Sequence, residues 1–97
     1  MIRHIVMFRL KGTPEEKLIK AESFRDALLA LPASIECLRK MDVGINCNPM
    51  EKWDIVLTAE VDNMEDLERY ASHPLHIAAA AIIKDVKEDR ACVDFEF

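Results

Sequence analysis

The chain has 97 residues, and its 13 basic and 18 acidic side chains give a formal net charge of −5. A chain of this length has room for one hydrophobic core, so we predict a single domain over residues 1–97. Because the basic residues are scattered and are outnumbered by acidic ones, the composition excludes a nucleic-acid-binding protein.

The cysteines and the apolar runs bear on where the protein works. The three cysteines are odd in number and have no metal-type spacing, which is typical of the reducing cytoplasm. The N-terminus has no signal-peptide core, and the longest apolar run, Ile77–Ile83, is far shorter than the roughly 20 residues of a membrane span. We therefore predict a cytoplasmic location and no membrane partner.

The first third of the chain predicts a strand followed by a helix. Residues Ile2–Leu10 are rich in β-branched and aromatic side chains and alternate between two faces, which favours a strand. Thr13 and Glu16 have the spacing of a capping box, and apolar residues then recur every three or four positions. Pro32 marks the end of this helix.

The middle of the chain predicts two strands and a second helix. A strand over Leu38–Gly44 and another over Trp53–Val61 are separated by the turn-rich segment Ile45–Lys52, which indicates two antiparallel neighbours. Asn63 has the position of an N-cap for a helix over Met64–Ser72, and acidic residues follow it in the first helical turn.

The last quarter of the chain predicts a further helical segment and a final strand. Pro74 begins an alanine-rich helical segment that runs to about Lys84, the charged segment Asp85–Arg90 is a linker, and Ala91–Phe97 alternates as a strand. The order β-α-β-β-α-β predicts an α+β fold, namely a ferredoxin-like protomer with a four-stranded antiparallel sheet.

Both faces of the predicted sheet carry apolar side chains. If one face packs on the helices, Ile5, Met7 and Val56 still lie on the other, where a monomer needs polar residues. Burial of apolar surface contributes roughly 25 cal/mol per Å², so covering this face stabilises the protein by several kcal/mol. We therefore predict a homodimer in which two sheets pack face to face as a dimeric α/β barrel.

One stretch gathers most of the residues that could carry chemistry. Tyr70, His73 and His76 surround Pro74, and the residue before a proline is forced out of the helical region. The chain must bend at His73, so these side chains either cap and pack two short helices or form the polar wall of a pocket. An imidazole near a carbon acid and a phenol near the developing oxyanion are the residue types for enolisation.

Five segments together resemble one known family, the stress-responsive dimeric α/β-barrel (Dabb) family. They span nearly the whole chain and occur in this order: His4-Ile5-Val6-Met7-Phe8, Val43-Gly44-Ile45-Asn46, Trp53-Asp54-Ile55-Val56-Leu57, Leu67-x-x-Tyr70-x-x-His73-Pro74-x-His76 and Val93-Asp94-Phe95. The resemblance implies the same ferredoxin-like protomer and sheet-to-sheet dimer. Most members have no assigned activity, whereas one plant member closes a linear polyketide by aldol condensation.

The resemblance also implies candidate site residues. The catalytic candidates that match the plant cyclase are Tyr70, His76 and His4. The expected ligand is a small apolar compound that contains a carbonyl group. Ala78 and Ala80 replace glycines of the cyclase, which narrows the space for a long acyl tail. No cofactor is expected. The substrate-binding candidates are Phe8, Phe24, His73 and Ala78.

Other interpretations of the same residues remain open. The motif could be structural, with His73 as a cap and Tyr70 and His76 as hydrogen-bonded packing. We then expect a homodimeric stress-responsive protein of unassigned activity that holds a small-molecule pocket in each barrel, and the cyclase-like or isomerase-like enzyme is the alternative. A metal site of His4, His73 and His76 is disfavoured because Pro74 reorients the chain between two of them. A monooxygenase-like dimeric barrel is the third class. A solvent-open cavity lined by Tyr70 and His76 distinguishes an enzyme from the structural interpretation.

Overall fold

The computed structural model describes residues 1–97 as a four-stranded antiparallel sheet with three α-helices covering one face. A short 3-10 helix at Leu31–Ala33 follows the first α-helix. No helix is long and apolar enough to cross a membrane. The elements in chain order are β1 (Ile2–Leu10), α1 (Pro14–Leu29), β2 (Lys40–Ile45), β3 (Ile55–Val61), α2 (Met64–Ser72), α3 (Pro74–Ala81) and β4 (Lys87–Glu96).

The strand order is β2-β3-β1-β4, which is the ferredoxin-like arrangement that the sequence predicted. The first strand lies at the centre, where Val6 is opposite Leu57 of β3 and Cys92 of β4. The register between β1 and β4 shifts at Arg9 and Leu10, where β4 contains a bulge. The central position of β1 makes it the strand on which residues from both halves of the chain meet.

Each helix begins at a side chain that accepts a backbone hydrogen bond. The nitrogen of Glu16 donates to Thr13 Oγ1 at 3.2 Å, and the Glu16 carboxylate accepts from the Thr13 nitrogen, which confirms the predicted capping box. Asn63 Oδ1 accepts from Asp66 at 2.8 Å at the start of α2. At the start of α3, the Leu75 nitrogen donates to His73 Nδ1 at 3.1 Å, so His73 caps this helix.

One hydrophobic cluster fills the space between the sheet and the helices, and no charged side chain is buried in it. Its strand members alternate along β1 and β3, as the sequence predicted. The other face of the sheet, which we call the open face, carries apolar side chains with no cover inside the protomer. Its apolar residues are Ile5, Met7, Val56, Val93 and Phe95.

The structure corrects several predicted boundaries. The second strand begins at Lys40 rather than Leu38, because Leu38 belongs to a turn in which its nitrogen donates to the Ile35 carbonyl at 3.1 Å. The predicted strand from Trp53 begins at Ile55 and the predicted helical segment to Lys84 ends at Ala81.

The largest correction concerns the last strand. The predicted linker Asp85–Arg90 was wrong over its last four residues, because β4 begins at Lys87. Pairing with the nine-residue β1 extends β4 into this charged run, and an ion pair of 3.2 Å between Arg9 and Glu88 joins the two strands there.

Candidate active site

A cavity of about 400 Å³ lies on the helix-covered face of the sheet, next to the junction of α2 and α3. We call it the Tyr70 cavity. Ten of its fifteen lining residues are hydrophobic, which is typical of a small-molecule site. The lining consists of His4, Val6, Phe8, Phe24, Leu57, Met64, Leu67, Glu68, Tyr70, Ala71, His76, Ala80, Ile83, Lys87 and Arg90.

Tyr70 lines the cavity from α2. Leu67 and Tyr70 are three residues apart and are both buried, so this face of α2 packs on the sheet. Only 1% of Tyr70 is exposed, and its hydroxyl has no hydrogen-bond partner within the protein. Burial raises the pKa of this hydroxyl far above its ordinary value, so it stays protonated and can donate a hydrogen bond.

His76 lies beside Tyr70 because the bend at Pro74 turns the first turn of α3 back over the end of α2. The two ring centroids are 4.5 Å apart. His76 Nδ1 is 2.9 Å from the Ala71 carbonyl oxygen, and since a carbonyl only accepts, Nδ1 carries the proton. Burial lowers the pKa of His76, so the ring is neutral near pH 7 and Nε2 has a free lone pair.

His4 completes the group of rings from the first strand. Its centroid is 6.2 Å from that of Tyr70 in an edge-on arrangement. On the other side its Nδ1 is 2.5 Å from Asp94 Oδ1, across the strand pair of β1 and β4. The carboxylate accepts this hydrogen bond, which fixes the tautomer of His4 and its orientation.

The sequence analysis assigned no role to Asp94, although the residue lies inside one of the quoted segments. Asp94 contacts His4 because the two residues are partners in the β1–β4 register. A pairing of the first and last strands, with polar residues on the helix-covered face of each, was the signal that could have identified it. Asp94 is therefore a positioning residue for the catalytic candidate His4.

The structure brings together a different metal-ligand set from the one considered on sequence. The His4 nitrogen, the Cys92 sulfur and the Asp94 carboxylate lie within 4.8 Å of one another. His73 is elsewhere, in a groove with Arg39 and Asp66. Burial and the neighbouring Asp94 charge raise the pKa of the Cys92 thiol, so a metal ion would have to displace the thiol proton.

The four substrate-binding candidates divide into two pairs. Phe8 and Phe24 line the cavity, where their rings meet edge to face with centroids 5.5 Å apart. His73 and Ala78 do not line it, since His73 caps α3 and Ala78 is exposed. The cavity face of α3 instead continues from His76 to Ala80, four residues on, as helical spacing requires.

The unpartnered hydroxyl gives a prediction on stability. Replacing Tyr70 by Phe removes a buried polar atom that has no hydrogen bond to lose, so we expect the free energy of unfolding to rise by about 1 kcal/mol. In a domain of this size the melting temperature then rises by roughly 4–8 °C. Thermal melts of the parent and of Tyr70→Phe measure this difference.

Tyr70→Ala is the control for the ring. It leaves a hole where a buried aromatic side chain packed, and a loss of about 3–5 kcal/mol is expected. A lower melting temperature for Tyr70→Phe than for the parent would mean that the hydroxyl is hydrogen-bonded in solution and has a structural role.

A four-stranded antiparallel sheet in the order β2-β3-β1-β4 with its helices on one face is the ferredoxin-like fold. Residues 2–97 match the stress responsive A/B barrel domain, and the chain belongs to this family. The sequence is 32% identical over 102 residues to an uncharacterized protein of Streptomyces coelicolor, with 100% of both chains covered. The family predicted from the five segments is thereby confirmed.

Two solved structures extend this relationship. A dimeric protein of ferredoxin-like fold from Bacteroides fragilis is 50% identical, with a TM-score of 0.96 over 99% of this chain and 95% of that chain. An antibiotic biosynthesis monooxygenase is 15% identical, with a TM-score of 0.79 over 100% of this chain and 98% of that chain. The second likeness concerns the fold alone.

Proposed function

We propose that this chain is a homodimeric, cofactor-independent acid–base catalyst that acts on a small apolar carbonyl compound in the Tyr70 cavity. One observation carries the proposal. The buried Tyr70 hydroxyl has no partner within the protein and lies beside His76, a neutral imidazole with a free Nε2. A buried donor without a partner costs about 1–3 kcal/mol, and a bound carbonyl oxygen would supply the missing acceptor.

The chemistry follows from the two protonation states. His76 Nε2 removes a proton from the carbon next to the carbonyl group and becomes an imidazolium. The electron pair of the broken C–H bond moves to the carbonyl oxygen, where the Tyr70 hydroxyl donates to the oxyanion. The high pKa of Tyr70 favours this role, because the phenol donates a hydrogen bond without losing its proton.

The enolate has two outcomes that need no cofactor. It takes the proton back from His76 at another atom, which is an isomerisation, or it attacks a second carbonyl of the same molecule, which is an aldol cyclisation. His4 has its Nδ1–H directed at Asp94 and its ring beside Tyr70. Its remaining nitrogen can accept or return a proton on that side of the substrate.

The dimer is part of the proposal. The 50% identical Bacteroides fragilis protein is dimeric, and the open face of this chain has the apolar side chains that a second sheet would cover. Val93 is 62% exposed and Phe95 is 38% exposed in the protomer. Large side chains of this kind are buried when two open faces pack together.

The experiment is proton exchange on a simple ketone. We expect the protein in D2O to exchange the protons next to the carbonyl of 2-octanone faster than buffer does, as followed by the loss of their NMR signals. His73→Asn is the matched control, because it replaces a histidine that lies outside the cavity and asparagine can still cap α3. This variant should leave the exchange rate unchanged. Exchange no faster than in buffer, with 2-octanone bound, would leave a ligand-binding protein without catalysis.

A further inference from the structure

Two cationic side chains at the Tyr70 cavity have no carboxylate partner. Lys87 and Arg90, both on β4 and both exposed, line the cavity, and neither forms an ion pair. Glu68 is the one carboxylate of the lining. The lining is therefore cationic in a chain whose formal net charge is −5, and such a site concentrates anions.

The β4 bulge is what brings Lys87 to the cavity. Arg9 pairs with Asp89, but the next residue, Leu10, pairs with Lys87, so the register skips Glu88. An uninterrupted ladder would have placed Glu88 opposite Leu10, on the cavity side of the sheet. The bulge instead leaves Glu88 in an ion pair with Arg9 at 3.2 Å and places Lys87 in the lining. The bulge thus places the basic side chain of Lys87, rather than the acidic side chain of Glu88, at the cavity.

Arg90 occupies the cavity side through regular pairing. It lies opposite Phe8, whose ring lines the apolar part of the cavity. It also lines the same cavity as His76, the proposed base. A negative group held by Arg90 would thus lie next to both the apolar wall and His76.

We infer that Lys87 and Arg90 bind a carboxylate of the substrate, so that the substrate class is an oxo acid with an apolar body. The guanidinium holds a carboxylate through two parallel hydrogen bonds and the ammonium adds a second positive charge. The apolar body lies against Phe8 and Phe24, and the carbonyl group is then directed to Tyr70 and His76. This inference rests on the proposed function, because it uses the same cavity.

The experiment compares two probes of the same alkyl chain, one with an anionic head group and one with a neutral head group. Octanoate and octanamide have the same chain, and calorimetric titration at low salt gives the dissociation constant of each. We expect octanoate to bind about tenfold more tightly than octanamide, since hydrogen bonds to ionised groups are the stronger ones. The preference should shrink as salt is added, because both cations are exposed.

The variants assign the preference to the two cations. The double variant Lys87→Gln with Arg90→Gln should bind both probes equally, whereas Lys84→Gln should keep the preference of the parent. Lys84 is an exposed lysine of the same region that makes no ion pair and does not line the cavity, so this variant controls for the loss of a positive charge outside the site. Thermal melts of the variants verify that each is folded.

The outcomes separate this inference from the proposed function. Equal binding of the two probes by the parent, or a preference that survives in the double variant, overturns the carboxylate site and leaves the cavity as an apolar ligand site. Failure of both probes to bind the parent overturns the carboxylate site and the proposed ligand cavity together. If the parent catalyses proton exchange on the ketone but shows no preference for octanoate, the proposed catalytic function stands and only the oxo-acid substrate class is overturned.

Discussion

Val56→Asp is expected to turn the protein from a dimer into a monomer of 11.1 kDa in sedimentation equilibrium at micromolar concentration. Val56 lies near the middle of the open face, where it pairs with Met7 on one side and Gly44 on the other. An unpaired carboxylate there would be taken out of water by the second sheet, which costs several kcal/mol.

The effect is large because the proposed interface is symmetric. In a two-fold dimer the same surface of both copies meets, so one substitution introduces two carboxylates into the interface. Each carboxylate is desolvated and the two repel each other, while the monomer keeps both in water. The protomer itself should remain folded, since the hydrophobic cluster lies on the other side of the sheet and does not include Val56.

Ile19→Asp is the matched control for the dimer. Ile19 is 65% exposed on α1, so the change introduces the same charge on an apolar surface residue that is not in the sheet. This variant should retain the mass of the parent. Dissociation by Ile19→Asp and retention of the dimer by Val56→Asp would place the interface on the helices and contradict the packing of two open faces.

The sequence was sufficient for the fold where local signals agreed with long-range pairing. The capping box at Thr13, the N-cap at Asn63 and the alternation of Ile2–Leu10 are decided within a few residues, and the structure confirms all three. The start of β4 was missed because the charged residues from Lys87 to Arg90 have no apolar alternation. Their strand conformation comes from pairing with β1, which is some 80 residues away in the sequence.

In the candidate site, too, local contacts were predicted from the sequence and long-range contacts were not. The spacing of Tyr70 and His76 predicted that the two rings meet at the helix junction, and their centroids are 4.5 Å apart. The contact between His4 and Asp94 depends on strand register over a separation of 90 residues, which no periodicity reports. Ala78 could have been excluded from the sequence, since it follows His76 by two residues and helical neighbours on one face are three or four apart.

His76→Gln is expected to reduce the exchange of 2-octanone by about 100- to 10,000-fold, the contribution typical of a general base. Glutamine can still donate a hydrogen bond to the Ala71 carbonyl that His76 Nδ1 contacts, so the fold around the junction is kept. Glutamine has no titratable lone pair near neutral pH and cannot take the proton. Tyr70→Phe should lose about 100- to 1,000-fold through the missing oxyanion donor.

The size of these losses distinguishes chemistry from binding. His76→Gln should bind 2-octanone within a small factor of the parent, so its loss falls on the rate of the bound complex rather than on its formation. Tyr70→Phe should also bind the ketone more weakly, because it loses the hydrogen bond to the bound carbonyl oxygen. His73→Asn, which keeps the cap of α3, should exchange the ketone as fast as the parent. If His76→Gln exchanged the ketone as fast as the parent, His76 would be a packing residue and the base would have to be sought at His4.

The pH dependence of the parent identifies the base independently of mutation. Burial lowers the pKa of His76 below its ordinary value of 6.5, so the ring is mainly neutral at neutral pH, and kcat/KM should reach its plateau there. As the pH falls below the lowered pKa, kcat/KM should drop by about tenfold per pH unit, because one proton inactivates the base.

The free energy of unfolding should also fall on acidification. The unfolded chain binds a proton at His76 more readily than the folded protein does, so acidification from pH 6.5 destabilises the fold. Urea unfolding of the parent and of His76→Gln measures this term, which should be absent from the variant. A kcat/KM that rises on acidification would contradict a neutral His76 as the base.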